Sequence, residues 1–166
     1  MKIAKSCLKD LAQDLNEISA TDGKNKIYQI LTFKWGVYPL NIIDTGSYVT
    51  VRIHIEVQKE VREKLSTLPD EVREQYRIAI FQELLSNHRT GSSWQPANLT
   101  DIKQLEGFDL VQYIHLTDGA LSCNRLVDGI QECVSVAFRV VSVLNLGLGM
   151  SAMTNQPIKP APDIYI

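Results

Sequence analysis

The stretch "YVTVRIHIEV", Tyr48–Val57, decides the fold, because apolar and polar residues alternate along its whole length. In an extended chain, successive side chains point to opposite faces. The apolar set is Val49, Val51, Ile53, Ile55 and Val57, and the polar set is Tyr48, Thr50, Arg52, His54 and Glu56. A period of two with one apolar face is typical of a strand in an antiparallel sheet, buried on one side and hydrated on the other.

Two further strands are predicted just before this one. "IYQILTFKW" (27–35) again places apolar residues at every second position, and "YPLNIID" (38–44) follows after Gly36. Pro39 lacks a backbone N–H, which favours the start of a strand or an edge strand. With the tight turn "DTGS" (44–47), the three segments predict an antiparallel meander.

Helical periodicity appears on both sides of this meander. From Ala4 to Ile18 the apolar residues recur at spacings of three and four, which predicts a first helix. The segment from Ser122 onward predicts a long last helix with Ser122 as its N-cap. Its expected core face is Leu126, Ile130, Cys133, Val134, Ala137, Phe138, Val141 and Leu144.

A middle helix is predicted after Pro69, which suits a first turn, with Asp70 and Glu71 near the positive end of the helix. Its apolar stripe is Val72, Tyr76, Ala79, Ile80 and Leu84, and Ile78, Phe81 and Leu85 widen that stripe. So broad an apolar surface predicts burial on more than one side of the helix.

"DLVQYIHL" (109–116) returns to a period of two and predicts another strand. The segment before it (88–101) is predicted to be a loop, or a loop with a short strand around Trp94, and 102–105 gives only a weak strand signal. The predicted fold class is therefore α+β, two-layer, an antiparallel meander sheet with flanking helices in the order α-β-β-β-α-(β)-β-α. Residues 1–148 are expected to form one domain, and residues 149–166 a proline-rich C-terminal tail.

Composition excludes some classes of partner. The chain has 166 residues, with 17 Lys and Arg against 19 Asp and Glu, a net charge of −2. Basic residues are mixed with acids, as in "QKEVREKL" (58–65), so no basic patch for nucleic acid is predicted. Neither an apolar leader nor a run of about 18 apolar residues is present, so we expect no membrane partner and a cytoplasmic location. Three cysteines, Cys7, Cys123 and Cys133, without CxxC spacing predict reduced thiols.

"HLTDGALSCNRLVDGIQEC" (115–133) brings a histidine, an aspartate, a serine and a cysteine close together in sequence. A catalytic nucleophile needs a base within reach and a residue that orients the base. No GxSxG elbow is present, and local structure accounts for the same residues. Asp118-Gly119 is a turn, Ser122 caps a helix, and Leu121 with Leu126 forms a hydrophobic staple. We therefore predict no catalytic residue and not an enzyme.

Other candidate sites are weak. His54 and His115 on polar strand faces, with Glu56 nearby, are typical of surface residues rather than of a metal site. "GLGMSA" (147–152) follows a helix and lacks a third glycine, so it is not a dinucleotide loop. No cofactor is predicted. Gly129 inside the last helix indicates either a tolerated imperfection or a close approach of the helix to the sheet or to another subunit.

The element order resembles the type III secretion chaperone-like fold, which includes small uncharacterised prokaryotic families. "LVQYIHLTDGALSCNRLVDGIQECVSVAFRVVSVL" (110–144) is similar to the closing strand, turn and helix of such proteins, and "LPDEVREQYRIAIFQELL" (68–85) to their middle helix. The resemblance covers about residues 4–148. It implies a chaperone-like protein, often a homodimer, and gives no catalytic residues to carry over.

Two functions remain open. The first is a non-enzymatic protein-binding or chaperone-like module that contacts a protein partner or a second copy. Its expected contact residues are Val72, Tyr76, Ile80, Phe81, Leu84 and Leu85, or the strand from Pro39 to Asp44. The alternative is a small enzyme or ligand-binding protein that uses the polar face of the sheet. That site would consist of Tyr28, Arg52, His54, Tyr113 and His115.

Overall fold

The computed structural model describes residues 1–21, 27–46, 48–86, 90–95, 99–116 and 121–148. Four strands follow a short first helix, two helices come next, and a strand pair precedes the last helix. In chain order the elements are α1 (Lys2–Leu8), β1 (Gln13–Thr21), β2 (Ile27–Trp35), β3 (Tyr38–Asp44), β4 (Tyr48–Glu56), α2 (Lys59–Thr67), α3 (Asp70–Leu85), β5 (Thr90–Gln95), β6 (Gly107–His115) and α4 (Cys123–Leu148).

The six strands form one sheet in the order β1-β2-β3-β4-β6-β5, and all neighbours are antiparallel. The predicted α+β class with an antiparallel meander is confirmed. The meander has one strand more than expected at its start, and the middle helical segment is divided into α2 and α3 around Leu68 and Pro69. β4, the strand of the opening sequence, lies inside the sheet between β3 and β6.

Helices cover one face of the sheet, and the main core lies between the two layers. Leu31, Ile42 and Val51 are opposite one another on β2, β3 and β4 and are fully buried. They pack with helical side chains such as Leu65, Leu84, Leu126 and Ile130. Removal of these apolar groups from water is what holds the layers together.

The opposite face, called here the open face, carries a second, smaller apolar cluster. Tyr28, Ile30 and Ile43 are buried there, and Ile18 packs against them. The sheet is therefore apolar on both faces where β1, β2 and β3 meet.

This second cluster explains why the predicted first helix is wrong beyond Leu8. Leu15 packs against the main core and Ile18 against the open-face cluster, so the two side chains lie on opposite faces of strand β1. A spacing of three residues fits one side of a helix and equally fits two sides of a strand. In addition, Asp14 has a φ of 54° and a β-bulge lies between Gln13 and Asn16, which interrupts the alternation.

The prediction that α3 is buried on more than one side is also wrong. Ile80 and Leu84 are buried in the main core, whereas Ile78, Phe81 and Leu85 are exposed by 45%, 39% and 58%. We call these three side chains the outer stripe of α3. In α4 the predicted core residue Phe138 is 61% exposed, and Val136 and Val140 are buried instead.

Gly129 marks a close approach of α4 to the sheet. A Cβ atom at this position would lie 2.9 Å from Cδ1 of Ile114 on β6. Of the two interpretations left open for this glycine, close packing on the sheet therefore applies.

The strand from Pro39 to Asp44 is not an edge. Pro39 stands near the start of β3, which is paired with β2 on one side and β4 on the other. A strand around Trp94 is confirmed as β5, whereas Ile102–Gln104 forms a 3₁₀ turn. The predicted tail, residues 149–166, lies outside the described residues. Among the described helices, none has both the length and the apolar character to cross a membrane.

The prediction of three reduced thiols is wrong for two of them. Cys7 in α1 and Cys123 at the start of α4 form a disulfide across a sequence separation of 116 residues. Cys133 is a free thiol in the core, where burial, with the nearby negative charge of Glu132, raises its pKa to about 12. A thiol with so high a pKa is not a nucleophile at neutral pH.

Candidate functional site

A buried carboxylate organises the polar residues of the open face. Asp109 on β6 is directly opposite His54 on β4 and is 5% exposed. Its Oδ1 accepts a hydrogen bond from Nε of Arg52 at 2.9 Å and lies 3.1 Å from Nδ1 of His54. Arg52 and His54 were both predicted for a polar-face site, and the structure brings them together around an aspartate that the prediction did not include.

The charges of this cluster favour an ionised Asp109. Burial by itself raises the pKa of the carboxyl, but hydrogen bonds from His54 and Arg52 and the charge of Arg52 outweigh it, so the pKa is lowered. An ionised carboxylate only accepts hydrogen bonds, so Nδ1 of His54 carries the proton and donates it. Arg52 and Asp109 form an ion pair in which both side chains are largely buried, 13% and 7% exposed.

The role of Asp109 becomes visible only from the register of β6 with β4, and not from its place in the sequence. Asp109 shares a period-two face with Val111, Tyr113 and His115, and it stands at the beginning of that segment. An acidic residue within the first positions of a strand resembles an ordinary strand end. Only the pairing of β4 with β6 reveals that it lies opposite His54 and next to Arg52.

The remaining predicted polar-face residues lie elsewhere. Tyr113 and His115 flank Tyr48, with ring centroids 5.3 Å and 6.4 Å from it. His115 is opposite Tyr48 while His54 is opposite Asp109. This six-residue offset separates the two histidines by about 20 Å along the strands. Tyr28 belongs to the open-face apolar cluster on β2. The five residues therefore do not form one cluster, although Arg52 and Tyr113 line the same groove.

A groove runs along the open face from the Arg52–Asp109 pair to Tyr48 and Tyr113. It has a volume of about 330 Å³ and crosses β3, β4, β6 and β5. Its lining includes Tyr48, Thr50, Arg52, Gly91, Asp109 and Tyr113. We call it the sheet groove.

The order of residues across the strands argues against a serine hydrolase. Ser93 on β5 is opposite Asp109, and His54 on β4 is opposite Asp109 from the other side. Asp109 therefore lies between the hydroxyl and the imidazole. Nucleophilic catalysis of this kind requires the imidazole in the middle, because it must take the proton from the hydroxyl.

The stretch from His115 to Cys133 contains no assembled catalytic group in its described part. α4 begins at Cys123, so Ser122 occupies the N-cap position, and Leu121 and Leu126 both pack on the main core. Cys123 is in a disulfide, which removes it as a nucleophile. Asp118 and Gly119 lie outside the described residues. No group of three His, Cys, Asp or Glu side chains among the described residues is placed to hold a metal ion.

The residues predicted for a protein contact differ in how far they are buried. Ile80 and Leu84 belong to the core, and Val72 and Tyr76 are half-buried. Phe81 and Leu85 are exposed, and Ile78, which was not among the predicted contacts, is exposed beside them. The large apolar side chains of α3 that remain partly exposed are thus those of the outer stripe.

Comparison with known proteins identifies a similar fold and no family. No protein-family model matches the sequence, and no curated protein matches it. A solved structure, described as an uncharacterized protein from Methanothermobacter thermautotrophicus, superposes with a TM-score of 0.69 at 14% identity. The match covers 89% of this chain and 98% of the archaeal one. At this identity the likeness shows the fold alone, and the resemblance to type III secretion chaperone-like proteins stays a prediction.

Proposed function

We propose that this protein is a non-enzymatic protein-binding module that uses the outer stripe of α3, with a second copy of the chain as its first partner. The proposal rests on one observation: α3 has apolar side chains on two different sides. One side packs Ile80 and Leu84 into the core, and the other presents Ile78, Phe81 and Leu85 to solvent. Exposed apolar surface of this kind marks interaction sites.

The spacing of the outer stripe suits a twofold axis. Ile78, Phe81 and Leu85 follow an i, i+3, i+7 pattern, which forms one face of a helix. If two α3 helices cross antiparallel near Phe81, Ile78 of each faces Leu85 of the other. A twofold interface requires such self-complementarity, because the same patch contributes to both sides. The resemblance to chaperone-like proteins, which are often homodimers, supports a second copy as the partner.

The energetics predict weak association. Full burial of a large apolar side chain stabilises a complex by about 1.5–3 kcal/mol. Because the stripe residues are about half exposed before association, burial of each one contributes roughly 1 kcal/mol. Association also costs translational and rotational freedom, which offsets much of this gain. We therefore expect weak self-association, with the dimer detectable only toward millimolar concentration.

Sedimentation velocity between about 10 µM and 1 mM tests the proposal. The wild-type chain is expected to shift from monomer to dimer, and the Phe81→Gln, Leu85→Gln double variant to remain monomeric. Phe138→Gln is the matched control, because it removes an exposed apolar side chain from α4.

Dimerisation that persists in the double variant, or that Phe138→Gln weakens equally, contradicts the use of the outer stripe. A wild-type chain that is monomeric throughout excludes the second copy as partner. A pull-down with the wild-type chain and the double variant then decides whether any protein is retained through the stripe. If neither of the two retains a protein, the proposal is overturned.

A further inference from the structure

We infer that the sheet groove binds an uncharged, hydroxyl-rich ring compound, a sugar or a nucleoside. The groove lies on the open face, on the other side of the sheet from α3. The inference is therefore independent of the proposed protein contact, and either one can fail without the other.

The size of the groove suits a small molecule. Its volume of about 330 Å³ is at the lower end of the range found for ligand sites, about 300–1,000 Å³. Gly91 on β5 contributes no side chain at a position opposite Val111, which keeps that part of the groove open. The distance along β6 from Tyr113 to Asp109 is four residues, about 13 Å.

The charge of the groove favours a neutral ligand. Arg52 and Asp109 are the charged side chains in the described lining, and they neutralise each other as an ion pair. A phosphate or carboxylate would have to compete with Asp109 for the guanidinium, and a cation would have to compete with Arg52 for the carboxylate. Neither displacement is favourable, because each breaks an ion pair whose two side chains are largely buried.

The two ends of the groove offer different chemistry. At one end Tyr113 is more than half exposed and packs edge-on against Tyr48, so aromatic surface is available to the flat, apolar face of a ring. The hydroxyl-bearing Thr50 is opposite Tyr113 at this end, and Ser93 is opposite Asp109 at the other end. Hydroxyls both donate and accept hydrogen bonds, which matches a ligand whose own groups are hydroxyls.

Titration followed by amide chemical shifts in two-dimensional NMR tests the inference. The probes are glucose, N-acetylglucosamine, uridine and adenosine at millimolar concentration, each beside its phosphate ester, and the separate titrations distinguish sugar from nucleoside. We expect at least one uncharged probe to shift the amides of Gly91, Ser93, Val111 and Tyr113, and its phosphate ester to bind no more tightly.

Two variants connect binding to the groove. Gly91→Val fills the open position, and a Cβ atom there makes only an ordinary contact of 3.5 Å with the carbonyl oxygen of Val111, so the substitution introduces no backbone clash at Cβ. It is expected to weaken binding at least about tenfold, and Tyr113→Ala by about two- to tenfold. Gln95→Ala, on the same strand and face but outside the lining, is the control and should bind as wild type.

Three results would overturn the inference. The first is the absence of shifts with all uncharged probes. The second is binding that Gly91→Val leaves unchanged, and the third is a phosphate ester that binds more than tenfold tighter than its uncharged parent.

Discussion

Among single residues, Asp109 pairs with two basic side chains on the open face. One carboxylate oxygen serves both Arg52 and His54, and all three side chains come from adjacent strands β4 and β6. Loss of the carboxylate leaves the guanidinium of Arg52 largely buried without its ion-pair partner. A buried charge without its partner lowers the free energy of unfolding by more than the intact pair raises it.

Asp109→Asn is expected to lower the free energy of unfolding by about 1.5–3 kcal/mol at neutral pH, because charge-assisted hydrogen bonds are lost. The pKa of Asp109 is lowered in the folded protein. The stabilisation is therefore present above the unfolded-state pKa, about 3.9, and disappears as the pH falls through the lower folded-state pKa. Urea unfolding of both proteins at pH 7 and near pH 3 measures this difference.

The gap in stability between wild type and Asp109→Asn should accordingly be large at pH 7 and smaller in acid. Other carboxyl groups, such as Asp44 and Asp101, also have lowered pKa values and are present in both proteins. Their contributions cancel in the comparison. A gap that does not change with pH contradicts the assignment of the ionised form to Asp109.

Gly107 is a second residue whose substitution has a definite expected result. A Cβ atom here would lie 2.6 Å from the carbonyl oxygen of Ile55 and 3.4 Å from Cε1 of His54. Because the nearest atom is backbone, Gly107→Ala must move β4 from β6, and we expect a loss of about 1–3 kcal/mol in unfolding free energy. Gly91→Ala, without such a clash, is the matched control in denaturant unfolding, and equal stability of the two variants contradicts the expectation.

At the scale of elements, α3 and α4 share one property: each carries more apolar residues than the core can contact. In α3 the excess is the outer stripe, and in α4 it is Phe138. A helix packed on a sheet buries only about one side. The buried side of α4 is centred on Leu126, Ile130, Cys133, Val136, Ala137, Val140 and Leu144.

This arrangement predicts different effects for two residues of α4 that look alike in sequence. Leu126→Ala removes a fully buried side chain next to the start of the helix and should lower the unfolding free energy by about 2–5 kcal/mol. Phe138→Ala removes a largely exposed side chain and should change it by less than about 1 kcal/mol. Thermal unfolding followed by circular dichroism compares the two. A larger effect for Phe138→Ala would mean that α4 is rotated about its axis relative to this structure.

At the scale of the whole molecule, the first and the last helix are joined covalently. The Cys7–Cys123 disulfide connects α1 to the start of α4 across 116 residues. A cross-link over so long a loop restricts the unfolded chain more than the folded one.

Reduction of this disulfide is expected to lower the unfolding free energy by about 2–4 kcal/mol, or the Tm by roughly 5–15 °C. Differential scanning calorimetry with and without dithiothreitol gives the value. The Cys7→Ser, Cys123→Ser variant should melt like the reduced protein and should not respond to the reductant. Cys133→Ala, which leaves the disulfide intact, should still respond. An unchanged Tm on reduction would contradict a stabilising disulfide.

Sequence patterns predicted much of this architecture and less of the site. The alternation in Tyr48–Val57 identified β4 and its two faces, and Pro69 identified the start of α3. The first helix was predicted too long, because Leu15 and Ile18 fit either a helix face or two faces of a strand. Arg52, His54 and Tyr113 were assigned to the open face, where Arg52 and Tyr113 line one groove, but Asp109 was missed and His115 lies about 20 Å along the strands from His54.

The sequence by itself determined which segments alternate, which have helical period and where turns interrupt them, because these are properties of neighbouring residues. Tertiary structure alone decided that Gln13–Thr21 is a strand, that Ile78, Phe81 and Leu85 face outward, and that Cys7 meets Cys123. It also placed Asp109 between Arg52 and His54. These outcomes depend on strand register and on which surface a helix packs against, and both are set by contacts between residues far apart in the chain.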